Sequence, residues 1–213
     1  MLDHIVSRLT TPYQIYGRSD VVSKPRPIPA SRGIYAWFFR NIPSGIPTND
    51  CKKFNELTLL YVGISPSRAT SANNLQRRIR YHYCGNASGS TLRLSLGVLL
   101  TPISSFPLRR VGSGRRMTFT HLGEQWLDDW MEQNAFVAWM EHPEPWAVEA
   151  GVISRLSLPL NIQDNRNHPF SVELRKHRRQ AMDLARSSAV ATEGNQARLG
   201  GLARLGDRHR KTK

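Results

Sequence analysis

Apolar positions along this chain fall into short runs punctuated by turn residues, and the runs follow two different rules. Gly33-Ile34-Tyr35-Ala36-Trp37-Phe38-Phe39 and Leu59-Leu60-Tyr61-Val62-Gly63-Ile64 are continuous, aromatic and β-branched, the signature of short strands buried on both faces. Pro43, Gly45, Pro47, Asn49 and Asp50 lie between them, so the intervening stretch reads as a loop joining two strands of one sheet. Elsewhere the spacing is helical. A helix is expected from about 72 to 83, ending at Gly85, and another over 122–133, where Trp126 and Trp130 stand one turn apart. Residues 91–100 satisfy both an alternating and a helical pattern, and Ser90 or Thr91 as a ready N-cap favours helix. Residues 101–116 read as loop, 117–120 and 135–140 as strands, and 146–156 as a helix entered from Pro145. At the start, 2–9 fit two helical turns, and Pro25, Pro27 and Pro29 then impose an extended path, making 1–30 a lead-in. Past Phe170 the composition shifts: 171–187 keep helical spacing, and 188–213 are rich in Gly, Arg and Ala without aromatics, as in disordered tails.

Two helices carry polar groups on their apolar sides. With Trp146 at zero on a wheel of about 100° per residue, Ala150, Ile153 and Leu156 form a stripe, and Glu149 falls within it near 300°. A carboxylate aimed at a core is costly unless a metal or a cationic side chain, such as a buried arginine, compensates it. On the 72–83 helix, Leu75 and Ile79 define the inner face; Arg78 and His82 lie on that side, one turn apart, while Arg77 and Arg80 point away. The plain structural alternative is an Arg78 that snorkels at the stripe's edge and a His82 that is a satisfied core histidine.

The charge narrows the field. Thirty Lys+Arg against sixteen Asp+Glu leave a net +14, and eleven of those cations against four acids lie from Ser171 onward. Such an excess repels itself in a compact state and suits a polyanionic partner, nucleic acid first and an anionic membrane surface second. No apolar run approaches the ~18 residues a bilayer crossing needs, and the opening Met1-Leu2-Asp3-His4 lacks a secretory pattern. Cys51 and Cys84 have no metal spacing and fit a reducing cytoplasm.

Gly33-Ile34-Tyr35, Tyr61-Val62-Gly63, Leu75-x-x-Arg78-Ile79-x-x-His82, Glu149 and Asn161 follow one another on strand, strand, helix and helix, and in that order they resemble the GIY-YIG endonucleases. The resemblance spans about 31–170, with 84–134 as an insertion. It implies an α/β (α+β) fold, with a small mixed or antiparallel three-stranded sheet flanked by helices, then a basic helix and tail over 171–213. It further implies a divalent-metal-dependent endonuclease that cleaves DNA, RNA not being excluded, to leave 5′-phosphate and 3′-hydroxyl ends. In that picture Glu149 holds one Mg²⁺ or Mn²⁺, Tyr35 or Tyr61 deprotonates the attacking water, Arg78 clamps the phosphate by its planar fork, His82 bonds a tyrosine or phosphate, and Asn161 orients its neighbours. Gly63 and Ser65 are expected beside the substrate, and Arg77, Arg115, Arg116 and His168 as nucleic-acid contacts. A dimer would allow both strands to be cut. The rival reading is a basic nucleic-acid-binding protein on the same scaffold that does not cut.

Overall fold

The computed structural model describes residues 1–192, so the expected loose tail lies, from 193 on, outside the described residues. Its centre is an antiparallel sheet in the order β2-β3-β1-β6, formed by β1 (Gly33–Phe39), β2 (Lys53–Phe54), β3 (Leu57–Ser65) and β6 (Ala135–Glu141). Three of these strands were expected; the fourth, β2, is a two-residue edge that pairs only with Thr58 and Leu57. The continuous apolar run of β1 is explained by its position. Every residue of β1 is buried, with β3 on one side and β6 on the other. Tyr35, Trp37 and Phe39 face one layer of helices, whereas Ile34, Ala36 and Phe38 face the other.

The layer over Tyr35 contains α3 (Leu75–Cys84), α4 (Thr91–Ser104), α5 (Thr120–Asn134) and α7 (Pro169–Ser187). Helix α3 starts later than its periodicity predicts because Asn74 is the cap, its Oδ1 accepting from Arg77 N at 2.9 Å. Residues 91–104 are helical, as Ser90 indicated, and Ser90 Oγ accepts from Arg93 N. Arg93 is the largest buried polar side chain in this layer. It pairs with Glu124 at 2.6 Å and Asp128 at 2.8 Å, and it donates to the carbonyls of His82 and Tyr83, tying α4 and α5 to the end of α3.

The opposite layer contains α1 (Leu2–Thr10) and α6 (Glu149–Ile153), with Ile5 and Leu9 packed against Val152 and the sheet. Two stretches depart from the sequence expectation. The helix expected over 146–156 is a 3-10 turn, Pro145–Ala147, followed by the five residues of α6, so a uniform 100° wheel does not run through it. The expected loop at 101–116 instead continues α4 to Ser104 and then forms a hairpin of β4 (Arg109–Val111) and β5 (Arg116–Thr118). Gly112 and Gly114, at φ +61° and +83°, make the turn. Residues 188–192 lie against that hairpin through Ala191 N→Arg110 O at 2.8 Å. Among the described residues no helix is long and apolar enough to cross a membrane.

Candidate active site

The antiparallel register of β1 and β3 sets Tyr35 opposite Gly63 and Trp37 opposite Tyr61. A Cβ on Gly63 would stand 2.6 Å from the Tyr35 hydroxyl. Glycine is therefore required at 63 so that the Tyr35 phenol can lie across the strand; the sequence reading had assigned that close approach to substrate instead. Between Trp37 and Phe38 the register slips by one residue, which leaves Leu60 without an opposite number and puts Leu60 and Tyr61 on the same face. Both tripeptides thus deliver a phenol to one side of the sheet.

Asn161 holds the outer edge of β3. Its Oδ1 accepts from Val62 N at 2.9 Å, its Nδ2 donates to Val62 O at 2.8 Å, and Leu160 N donates to Leu60 O at 3.1 Å. This side-chain amide replaces a neighbouring strand where β2 has ended, and it fixes the backbone on either side of Tyr61 and Gly63.

From the other direction α3 brings in Arg78 and His82. The Tyr35 hydroxyl and His82 Nε2 are 2.8 Å apart, and both residues are at most 1% exposed. The Tyr61 ring meets His82 edge-on at 6.2 Å between centroids. Arg78 is half-buried and donates to Gly89 O at 2.9 Å. Burial pushes the Tyr35 hydroxyl far up, with the Tyr61 phenol adding to the rise and Arg78 opposing it. Tyr61 is raised chiefly by burial too, against Thr91, Arg78 and Arg178. Burial drives His82 well below its ordinary value, and the positive charges of Arg78 and Arg93 push it further, so the imidazole is neutral.

Glu149 opens α6 from the far side of the sheet. Burial lifts its carboxyl from the usual 4.5 to about 7, and the negative charge of Asp164 adds to that rise. The alternative of a buried arginine partner finds no ion pair: among the described residues Glu149 has none, whereas Glu124 in the same fold has Arg93. Its charge nevertheless acts on both Tyr35 and Tyr61, raising each phenol a little further. A half-buried carboxylate left unneutralised in so cationic a protein fits the needs of a single divalent ion. No group of three or more His, Cys, Asp or Glu that could hold a metal exists among the described residues, so water and substrate oxygens would have to supply the remaining ligands.

The remaining sequence candidates separate. Arg77 is exposed on the outer face of α3. Ser65 is fully buried, with no hydrogen bond to its hydroxyl among the described residues. His168 caps α7, accepting from Phe170 N, while its Nε2 meets Ser157 Oγ at 3.1 Å, so both ring nitrogens are engaged by the protein. Arg115 and Arg116 are exposed on the β4–β5 hairpin. Their neighbours Arg109 and Arg110 donate to carbonyls of Ala189, Ala185 and Ser188 at the end of α7, which satisfies the helix terminus. Three residues at the site escaped the sequence reading. Arg178 of α7 is largely desolvated and its charge acts on Tyr61, the charge of Asp164 acts on Glu149, and Ser90 bonds the second nitrogen of His82 at 2.7 Å. For Arg178 the only available signal was a basic helix placed after the core; for Ser90 it was the cap itself.

A family model described as the GIY-YIG catalytic domain matches residues 33–180. The match takes in every residue of the Tyr35, Tyr61, Arg78, His82, Glu149 and Asn161 set and extends into α7 past Arg178. No curated protein and no solved structure matches the chain at the significance required of them. The family model covers well over half of the chain, and this protein therefore belongs to the GIY-YIG catalytic-domain family and has a nuclease-type function.

Proposed function

We propose that this protein is a divalent-metal-dependent endonuclease that hydrolyses DNA phosphodiester bonds to 5′-phosphate and 3′-hydroxyl ends. The observation that carries the reading is Glu149, a half-buried carboxylate with no ion-pair partner among the described residues, whose charge acts on the same two phenols that Arg78 opposes. A purely binding surface for nucleic acid has no use for such a group. Glu149 would hold the single Mg²⁺ or Mn²⁺, which when bound supplies charge neutralisation at the phosphate and at the leaving oxygen.

The chain's own residues do the rest. Arg78, fixed by Gly89 O, presents the remaining face of its guanidinium to a phosphate oxygen. Tyr35 and Tyr61 are the two phenols available to take a proton from the attacking water, whose oxygen bonds to phosphorus as the bond to the 3′ oxygen breaks. Burial makes both phenols weaker acids, so the base role depends on the cations opposing it, Arg78 at both phenols and Arg178 at Tyr61. Asn161 keeps the Tyr61–Gly63 backbone in register.

Supercoiled-plasmid nicking is the test. Mg²⁺-dependent activity that is lost in Glu149→Ala and in EDTA supports the enzyme. Silence from wild type and variant alike, with intact DNA binding, would favour a protein that binds without cutting.

A further inference from the structure

Gly85 and Gly89 follow Tyr81 at four-residue spacing, and one ring explains both glycines. A Cβ on Gly85 would stand 2.5 Å from Tyr81 Cδ1, and a Cβ on Gly89 would stand 2.3 Å from the Tyr81 hydroxyl. One edge of the phenol therefore runs along the turn from the first glycine to the second. Neither glycine has a positive φ, so the requirement is for room rather than for an unusual backbone. The Tyr81 hydroxyl donates to Asn86 Oδ1 at 3.4 Å, Gly85 N to Tyr81 O at 2.7 Å, and Gly89 N to Asn86 O at 3.2 Å. On its core side the same turn is held by Glu124, whose Oε1 accepts from Ala87 N at 2.8 Å.

The end of this turn is what reaches the site. Arg78 donates to Gly89 O at 2.9 Å, and the next residue, Ser90, meets His82 Nδ1 at 2.7 Å. The Arg78 guanidinium acts in turn on both phenols. Gly89 offers a backbone carbonyl, so the placement of that acceptor depends on whatever holds the turn. We infer that Tyr81 is a positioning residue: its ring, packed along Gly85 and Gly89, holds the turn so that Gly89 O sets the Arg78 guanidinium. The start of the stretch read as an insertion thereby becomes a support of the site. The consequence for cleavage rests on the nuclease reading, whereas the placement of Arg78 does not, so the two are measured separately.

A guanidinium held by a carbonyl rotates slowly about its Cζ–Nη bonds. In full-length protein labelled with ¹⁵N at arginine, Arg78 is therefore expected to give resolved Nη signals, assigned by their loss in Arg78→Lys. Tyr81→Ser is expected to merge those signals and to lower kcat for plasmid nicking about 10- to 100-fold, the scale of a misplacement of up to about 1 Å. Tyr81→Phe, which keeps the ring and loses only the long bond to Asn86, is expected to restore both readouts.

Gly89→Ala disturbs the same contact from the other side. Its methyl group and the Tyr81 ring cannot share the space, so this variant alone is expected to reproduce the Tyr81→Ser pattern. Added to Tyr81→Ser it is expected to cost no more than about twofold further, because no ring is left for the methyl group to meet. Arg78 signals already merged in wild type, or resolved signals that persist in Tyr81→Ser, overturn the inference whether or not the protein cuts DNA. Losses from the two substitutions that multiply overturn it as well. So does an equal loss in Tyr81→Phe, which would give the hydroxyl a direct role. Wild type that cuts no DNA, with Arg78 signals that merge in Tyr81→Ser, upholds the placement and removes the nuclease reading alone.

Discussion

Replacing Glu149 with glutamine should make the metal-free protein more stable while abolishing its activity. Burial and Asp164 carry the Glu149 carboxyl from 4.5 to about 7, with no counter-ion pairing among the described residues. At about 1.4 kcal/mol per tenfold, that displacement corresponds to about 3 kcal/mol against the charged form. Part of the side chain faces water, so screening leaves about 2 kcal/mol. The sign follows from proton linkage. The folded-state value lies above the unfolded one, so above about pH 7 both states are ionised and the folded state carries the whole penalty. As pH falls toward 4.5 the folded state takes up the proton first and the penalty disappears. Urea denaturation in EDTA is the assay. Glu149→Gln is expected to exceed wild type by about 2 kcal/mol at pH 8.5 and to match it near pH 4.5. A variant no more stable than wild type at pH 8.5 would refute the reasoning, because it would mean that an architectural cation already neutralises the carboxylate.

Three further substitutions probe the supports of the site. Asn161→Ala leaves the Val62 N–H and C=O without their partners, and is expected to cost about 2–4 kcal/mol in urea denaturation and to reduce cleavage in the folded protein. Gly63→Ala drives a methyl group into the Tyr35 phenol, so a stability loss of about 1–3 kcal/mol should accompany a fall in kcat; a crystal structure with Tyr35 undisplaced would contradict this. Glu124→Ala breaks a buried ion pair, and thermal or urea melts should show a loss of about 3–5 kcal/mol, with cleavage per folded molecule far less affected than in Glu149→Ala.

How much of this was legible in the sequence depends on how local the determining physics is. β1 and β3 were readable because burial on both faces demands an unbroken apolar run, and the placement of Arg78 and His82 was readable because α3 is a regular helix with one inner face. Glu149 was picked out by a wheel whose premise of one continuous helix fails at the 3-10 turn, and it stands as the first residue of α6. The β4–β5 hairpin escaped because three-residue strands carry almost no periodicity, although the Gly112-Ser113-Gly114 turn was a signal. Arg178 acts on Tyr61 from a helix distant in sequence, and Asp164 and Ser90 act on Glu149 and His82 from loops beyond the helices that carry them, and no spacing rule encodes either. His168 and Ser65 show the converse: polar residues near a motif that the fold uses for capping or buries.

The proposed nuclease would hold its divalent ion on Glu149, and a crystal structure of the protein soaked in Mn²⁺ tests this most directly. The expected result is one anomalous peak at the Glu149 carboxylate, absent in Glu149→Gln. A cleft without a peak, or a peak on other side chains that persists in the variant, would contradict it.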